Sequence, residues 1–354
     1  MFADDKSSQN QKAGADSVQI QAAGDIVVGI TEDRAREIAL STSMRVLDQF
    51  TSDANDLIQE RILKLDDRVI AALVRENRLQ VFADPGFQRT YRKAQEGAAS
   101  TERDADYDLL AALLQDRAER GSNRPIRAGI ELSIEVIDRI DDEALRGLTV
   151  MQAAVQYSPK SGEIAAGISL MSKFFEQLLD GPLPTGVDWL EHLDLLDGAR
   201  INPVESLRTF QDYWPSAHLS GYMSAGIEVA DAPQNWFIAD IPITWIAVPH
   251  DLKPGFVRLN APSKAAYEKL YEKVSPVFRD PMLAEADSVF RLSEVDETCR
   301  ASLMDIVRGY PVLRDIEQWW DQIPKAANIT AVGKVLARAN AERLDVKHVL
   351  PPLN

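Results

Sequence analysis

Cysteine is nearly missing from this chain, and histidine is scarce: 354 residues contain one cysteine, Cys299, and four histidines. A single cysteine excludes an internal disulfide and a cysteine-rich zinc site. His192, His218, His250 and His348 include no pair at His-x-x-x-His spacing, so no helix-borne metal pair is expected. No run of about eighteen apolar residues occurs, which leaves no spanning helix to predict. The longest nearly uncharged apolar stretch, residues 236–248, is interrupted by Asp240 and Pro242 and reads as one or two buried strands. Positive charge is also short. Lys and Arg number 39 against 55 Asp and Glu, and a net charge of −16 repels DNA, RNA and anionic membranes. The first ten residues lack the basic region and apolar core of a signal peptide. Together these deficits predict a cytoplasmic protein with no membrane contact, no metal and no cofactor, and with nucleic acid disfavoured as a partner.

What is present begins with alternation. Val18, Ile20 and Ala22 alternate with Gln19 and Gln21, and after Gly24-Asp25 the pattern resumes at Ile26, Val28 and Ile30. Period two marks strands with one dry face, and Gly24-Asp25 reads as their turn. Two such short strands are not stable alone in water, so they must dock on the body or on sister chains. These six apolar residues are therefore the expected oligomer contact. Thr31 is a helix N-cap, with Glu32 and Asp33 in the first turn. No proline precedes Pro85, so residues 32–80 can form one or two long helices. A single helix there would run roughly 70 Å at about 1.5 Å per residue, which demands neighbours.

Further helices are predicted at residues 87–96, 102–119, two between 126 and 156, 163–179, 187–197, 204–213, 263–274, 282–322 and 330–343. Gly97–Thr101 reads as a loop, and Asp141-Asp142 as the cap of the second helix in 126–156. Residues 215–262, rich in Pro, Gly and aromatics, read as short strands and long loops. The expected fold is mainly α, a helical bundle-like body with a short N-terminal β element and a small β-containing insertion at about 215–260. The expected division is a β oligomerisation element (1–30), a long-helix region (31–120) and a helical body (121–354).

Catalytic patterns are weak. Gly333-Lys334 lacks the glycine five residues earlier and the Ser/Thr of a P-loop, and Gly24–Gly29 lacks the third glycine of a dinucleotide fingerprint. Ser224 has Tyr222 where a nucleophile elbow needs glycine. Cys299 reads as a buried structural thiol. Glu131, Glu135 and Asp138, with Arg139, read as a solvated helix face. The strongest candidate polar site is His250-Asp251, in a loop beside the apolar strand; its bland alternative is a turn in which Asp251 accepts backbone hydrogen bonds.

Two fragments resemble parts of a winged helix. Trp189–Ile201 is similar to its helix and first strand, and Asn328–Ala337 to the end of the wing, with the T-x-x-G of a closing helix. More than a hundred residues separate them, and Glu191, Asp194 and Asp197 occupy the would-be recognition helix. Three pieces together resemble a sparsely characterised family of bacterial cytoplasmic proteins: S-V-Q-I-Q-A-A-G-D-I-V-V-G-I-T (17–31), L-L-D-G-A-R-I (195–201) and I-T-A-V-G-K-V-L-A-R-A-N (329–340). Glycine-aspartate β openings similar to the first also front proteins associated with phage defence, an analogy that carries no catalytic residue across. The expected function is a non-enzymatic, self-associating protein that binds a partner protein, in defence or stress response. The alternatives are a nucleic-acid sensor built on the split winged-helix fragments and an enzyme with a site near His250.

Overall fold

Side-chain caps open several of the helices in the computed structural model, which describes residues 30–48, 50, 54–231, 237–238 and 241–344. Of the predicted oligomer contact, Val18, Ile20, Ala22, Ile26 and Val28 lie outside the described residues. Ile30 is described, and it is half-buried against the chain's own core. Thr31 accepts a hydrogen bond from the Arg34 amide and opens α1 (Glu32–Leu47). The stretch predicted as one or two helices is two, because α1 ends before α2 (Asn55–Arg75) begins, and the two pack on each other.

Asp84 caps α3 (Pro85–Ser100), with Pro85 in the first turn, where its missing N–H costs nothing. Gly97–Thr101 was expected as a loop, yet α3 runs through most of it. Ala98 and Ala99 are buried there, and their small side chains let the helix pack closely on its neighbours. Then follow α4 (Asp104–Arg120), α5 (Arg124–Ile134) and α6 (Asp142–Gln156). Asp141 caps α6 through the Ala144 amide at 2.6 Å, as its position predicts. Residues 144–154 of α6 are all buried, so this helix is the axis of the body and turns no face to solvent along that span.

Helix α5 ends at Ile134, so Glu131, Glu135 and Asp138 do not share one helix face as expected. Glu131 instead meets Arg117 of α4 at 3.5 Å, and Glu135 pairs with Lys93 of α3. Next come α7 (Ile164–Leu178), α8 (Asp188–Leu195) and β1 (Ala199–Asn202). A helix was expected at 204–213. The observed α9 (Phe210–His218) starts later, because Phe210 and Trp214 stack at 5.1 Å in an aromatic cluster with Trp320 and Tyr213. Asp321 Oδ1 accepts from the Phe210 amide at 2.7 Å and fixes that start.

The insertion then carries β2 (Ile227–Glu228), β3 (Phe237–Ile238), β4 (Ile241–Pro242), the single turn α10 (Ile243–Ile246), β5 (Ala247–Pro249) and β6 (Phe256–Leu259). Strands β2, β6 and β5 form an antiparallel sheet in that order, and β3 pairs with β4. Helices α11 (Lys264–Leu270) and α12 (Pro276–Phe290) cover a small separate core that includes Leu259, Tyr267, Met282 and Phe290. The chain closes with α13 (Glu297–Arg308), α14 (Pro311–Asp321), β7 (Ala326–Ile329) and α15 (Ala331–Leu344). The architecture is mainly α-helical with small antiparallel sheets. One apolar core runs from Ala35 to Ala341, and α15 packs on α4, α5 and α6. Among the described residues no helix is long and apolar enough to cross a membrane.

The two winged-helix-like fragments meet. Strand β1 pairs antiparallel with β7, Ala199 opposite Ile329 and Asn202 opposite Ala326. Thr330 donates through its hydroxyl to the Asp197 carbonyl and accepts from the Gly333 amide at 3.0 Å, capping α15. Gly333 sits where a Cβ would lie 1.8 Å from the Gly198 carbonyl oxygen. The glycines of the two fragments are therefore in contact, and only glycine fits at 333.

Candidate functional site

The predicted site at His250-Asp251 is built from the end of β5 and the turn into β6. Its two side chains reach different partners. His250 is buried and Asp251 is largely exposed. The Leu252 amide donates to His250 Nδ1 at 3.3 Å, and His250 Nε2 lies 3.0 Å from the Ser224 carbonyl. An amide only donates and a carbonyl only accepts, so the ring is neutral with its proton on Nε2. Burial lowers its pKa, with a smaller push from Arg258 and Lys253. Both nitrogens are thus committed to backbone, and none remains for a substrate.

Asp251 accepts from Arg258 Nη2 at 3.0 Å instead of from backbone amides. Arg258 is fully buried, donates to the Leu259 carbonyl and lies over the Tyr222 ring at 5.2 Å. This pair closes the β5–β6 turn.

Two other sequence candidates fall in the same neighbourhood. Cys299 Sγ is 3.8 Å from His250 Nε2. That nitrogen already gives its proton to Ser224 O, and burial raises the thiol pKa, with the Asp296 charge adding to it. Cys299 is a buried thiol, as its sequence setting predicts. Ser224 is fully buried and donates to the Gly221 carbonyl at 3.2 Å, so it has no access to a substrate. Among the described residues no three His, Cys, Asp or Glu side chains are grouped to hold a metal ion. A cleft of about 60 Å3 lies elsewhere, floored by Trp189 and Trp319 and edged by Pro184 and Gly186. That is well below the several hundred Å3 of an ordinary ligand pocket.

Sequence reasoning missed two features. The first is apolar exposure at the corner between α11 and α12. Leu270 is 72% exposed, Val277 75% and Phe278 73%, with Val274 between them in the turn. A weaker apolar strip lies at the α1–α2 end, where Leu40, Met44, Phe50 and Leu57 are exposed. Position on a helix end was the available signal, and periodicity alone did not separate these residues from core.

The second is Ser158, an exposed residue whose hydroxyl lies 2.7 Å from Nδ1 of buried His218. His218 ends α9, and its Nε2 is 2.9 Å from the carbonyl of Ala154 in the last turn of α6. Sixty residues separate the partners, so no local motif could announce the pair.

No curated protein and no solved structure matches the chain. A family model described as ":-like" matches residues 29–348, a span that includes both the L-L-D-G-A-R-I and the I-T-A-V-G-K segments. The chain belongs to this ":-like" family.

Proposed function

We propose that this protein acts through protein–protein contacts, first of all with copies of itself. The observation that carries this reading is the α11–α12 corner. Leu270, Val277 and Phe278 lie within nine residues of one another and are mostly in water. Covering each is worth on the order of 1.5–3 kcal/mol. A second copy is the occupant that suits the charge. At net −16 the chain repels its own kind at a distance, so contact needs a locally neutral patch. The corner is one: Glu268, Glu272 and Asp280 are interspersed with Lys269, Lys273 and Arg279. A two-fold axis brings the same patch of both copies together, and a patch that carries both signs can pair them across it.

Residues 14–30 supply a second contact in this reading, on the strength of their alternating sequence. A cytoplasmic location rests on the family resemblance, and a role in defence or stress response on the analogy of the glycine-aspartate opening alone. Light scattering on the full chain tests the proposal. A mass above one protomer is expected, falling to one protomer in Val277→Glu/Phe278→Glu. A second measurement on a chain lacking residues 1–29 reports the share of the N-terminal element. A full chain that is already monomeric overturns the reading.

Nucleic-acid sensing is favoured only by the meeting of β1 and β7. The would-be recognition helix α8 carries Glu191 and Asp194, and Arg200 on β1 is tied to Asp194 and Asp197. Electrophoretic shift at two salt concentrations checks it, and no binding at low salt ends it.

A further inference from the structure

His250 and His218 are both buried neutral rings, but they differ in what holds the acceptor nitrogen. At His250 it is a backbone amide. At His218 it is the hydroxyl of Ser158, which is exposed to solvent. The Ala154 carbonyl only accepts, so His218 carries its proton on Nε2 and Nδ1 must accept from Ser158 Oγ. That is the geometry of a nucleophile held by a general base, with the base oriented by a third group.

The third group here is the C-terminal end of α6. The Ala154 carbonyl, which has no partner within the helix, and the negative dipole end favour an imidazolium as it forms. Burial meanwhile keeps the resting ring neutral: it lowers the His218 pKa, and the hydrogen bonds to Ala154 and Val155 only partly offset this. The loop that presents Ser158 is fixed. Pro159 is buried, and Tyr222 donates to the Ser161 carbonyl at 2.6 Å.

We propose that Ser158 is a nucleophile toward activated acyl esters, with His218 as its general base. Ser158 Oγ bonds to the acyl carbon, and the bond from that carbon to the leaving oxygen breaks with its electron pair. The serine proton passes to His218 Nδ1 and from there to the leaving oxygen. Water then attacks the acyl-serine by the same route in reverse, releasing the acid. General-base help contributes about 10²–10⁴-fold, so the electrophile must bring a good leaving group. The site is independent of self-association.

The test exposes the full chain to a fluorophosphonate probe and maps the adduct by mass spectrometry. Two exposed serines serve as internal controls: Ser41 and Ser100 donate to backbone carbonyls of their own helices. An adduct at Ser158 is expected to form about a hundredfold faster than at either control. It should vanish in Ser158→Ala and slow by a similar factor in His218→Gln, with hydrolysis of p-nitrophenyl acetate falling in parallel. No adduct at Ser158, or labelling no faster than at Ser41 and Ser100, overturns the proposal. So does a folded His218→Gln that labels at the wild-type rate. If His218→Gln fails to fold, the comparison within the wild-type molecule still decides.

Discussion

Asp66 is an ionisable residue placed where ionisation is costly. It is 5% exposed on α2, and its carboxylate accepts from Tyr91 Oη at 2.5 Å and Gln95 Nε2 at 2.9 Å, both on α3. Gln95 also reaches the Ala39 carbonyl of α1 at 3.4 Å, so the group ties three helices together. Burial pushes the Asp66 pKa up to about 6, against the two hydrogen bonds that pull it down. The fold thus favours the protonated acid. Stability from this group is full below its ordinary pKa of 3.8 and is lost as pH rises through about 6. The shift amounts to about 3 kcal/mol at neutral pH. Asp66→Asn keeps an acceptor for Tyr91 and Gln95 and removes the charge. Thermal unfolding should therefore show the variant more stable than wild type at about pH 7.5, with the gain shrinking towards about pH 4. An unchanged or lower melting temperature at the higher pH would contradict this. Asp116, also pushed up to about 6 by burial, adds its own share to the wild-type slope.

At the scale of elements, the β1–β7 pair depends on two small residues. Thr330 caps α15, and Gly333 lets the Gly198 carbonyl approach the helix. A methyl group at 333 would overlap backbone, which cannot yield as a side-chain tip can. Gly333→Ala should cost several kcal/mol, on the order of 2–4, despite the better helix propensity of alanine. Thr330→Ala should cost about 1 kcal/mol as a lost cap. Denaturant melts of both variants check the ranking, and a neutral Gly333→Ala would show that α15 can slide away from β1. The same elements show how far sequence reached. The T-x-x-G and D-G-A-R-I segments were visible as related pieces, because cap and glycine chemistry is local. Their pairing was only suggested by resemblance, since Ala199 and Ile329 are brought together by packing.

Across the whole molecule, stability is unevenly distributed. The main core runs through α6, whose residues 144–154 are all buried, whereas α11 and α12 rest on a separate small cluster around Tyr267, Met282 and Phe290. Local opening follows the amount of buried apolar contact. Hydrogen exchange should therefore proceed faster in α12 than in α6. If self-association covers the α11–α12 corner, protection of α12 should rise with protein concentration while that of α6 stays fixed. Protection of α12 that does not depend on concentration would count against the corner as the contact.

The sequence by itself determined the mainly helical class, the approximate place of most helices and the structural nature of Cys299 and Ser224. Apolar periodicity and the caps at Thr31 and Asp141 are short-range signals, legible without a fold. It misplaced the α9 start and the end of α3, where an aromatic stack and two buried alanines outweigh local preference. The candidate site was least legible. His250 stood out because a carboxylate follows it, yet tertiary contacts send His250 to Ser224 O and Asp251 to Arg258. His218 had no such neighbour, and only the packing of α9 against the end of α6 brings it to Ser158. Local order follows from neighbours along the chain. Which groups the two nitrogens of a buried imidazole meet is set by whatever the fold packs around it.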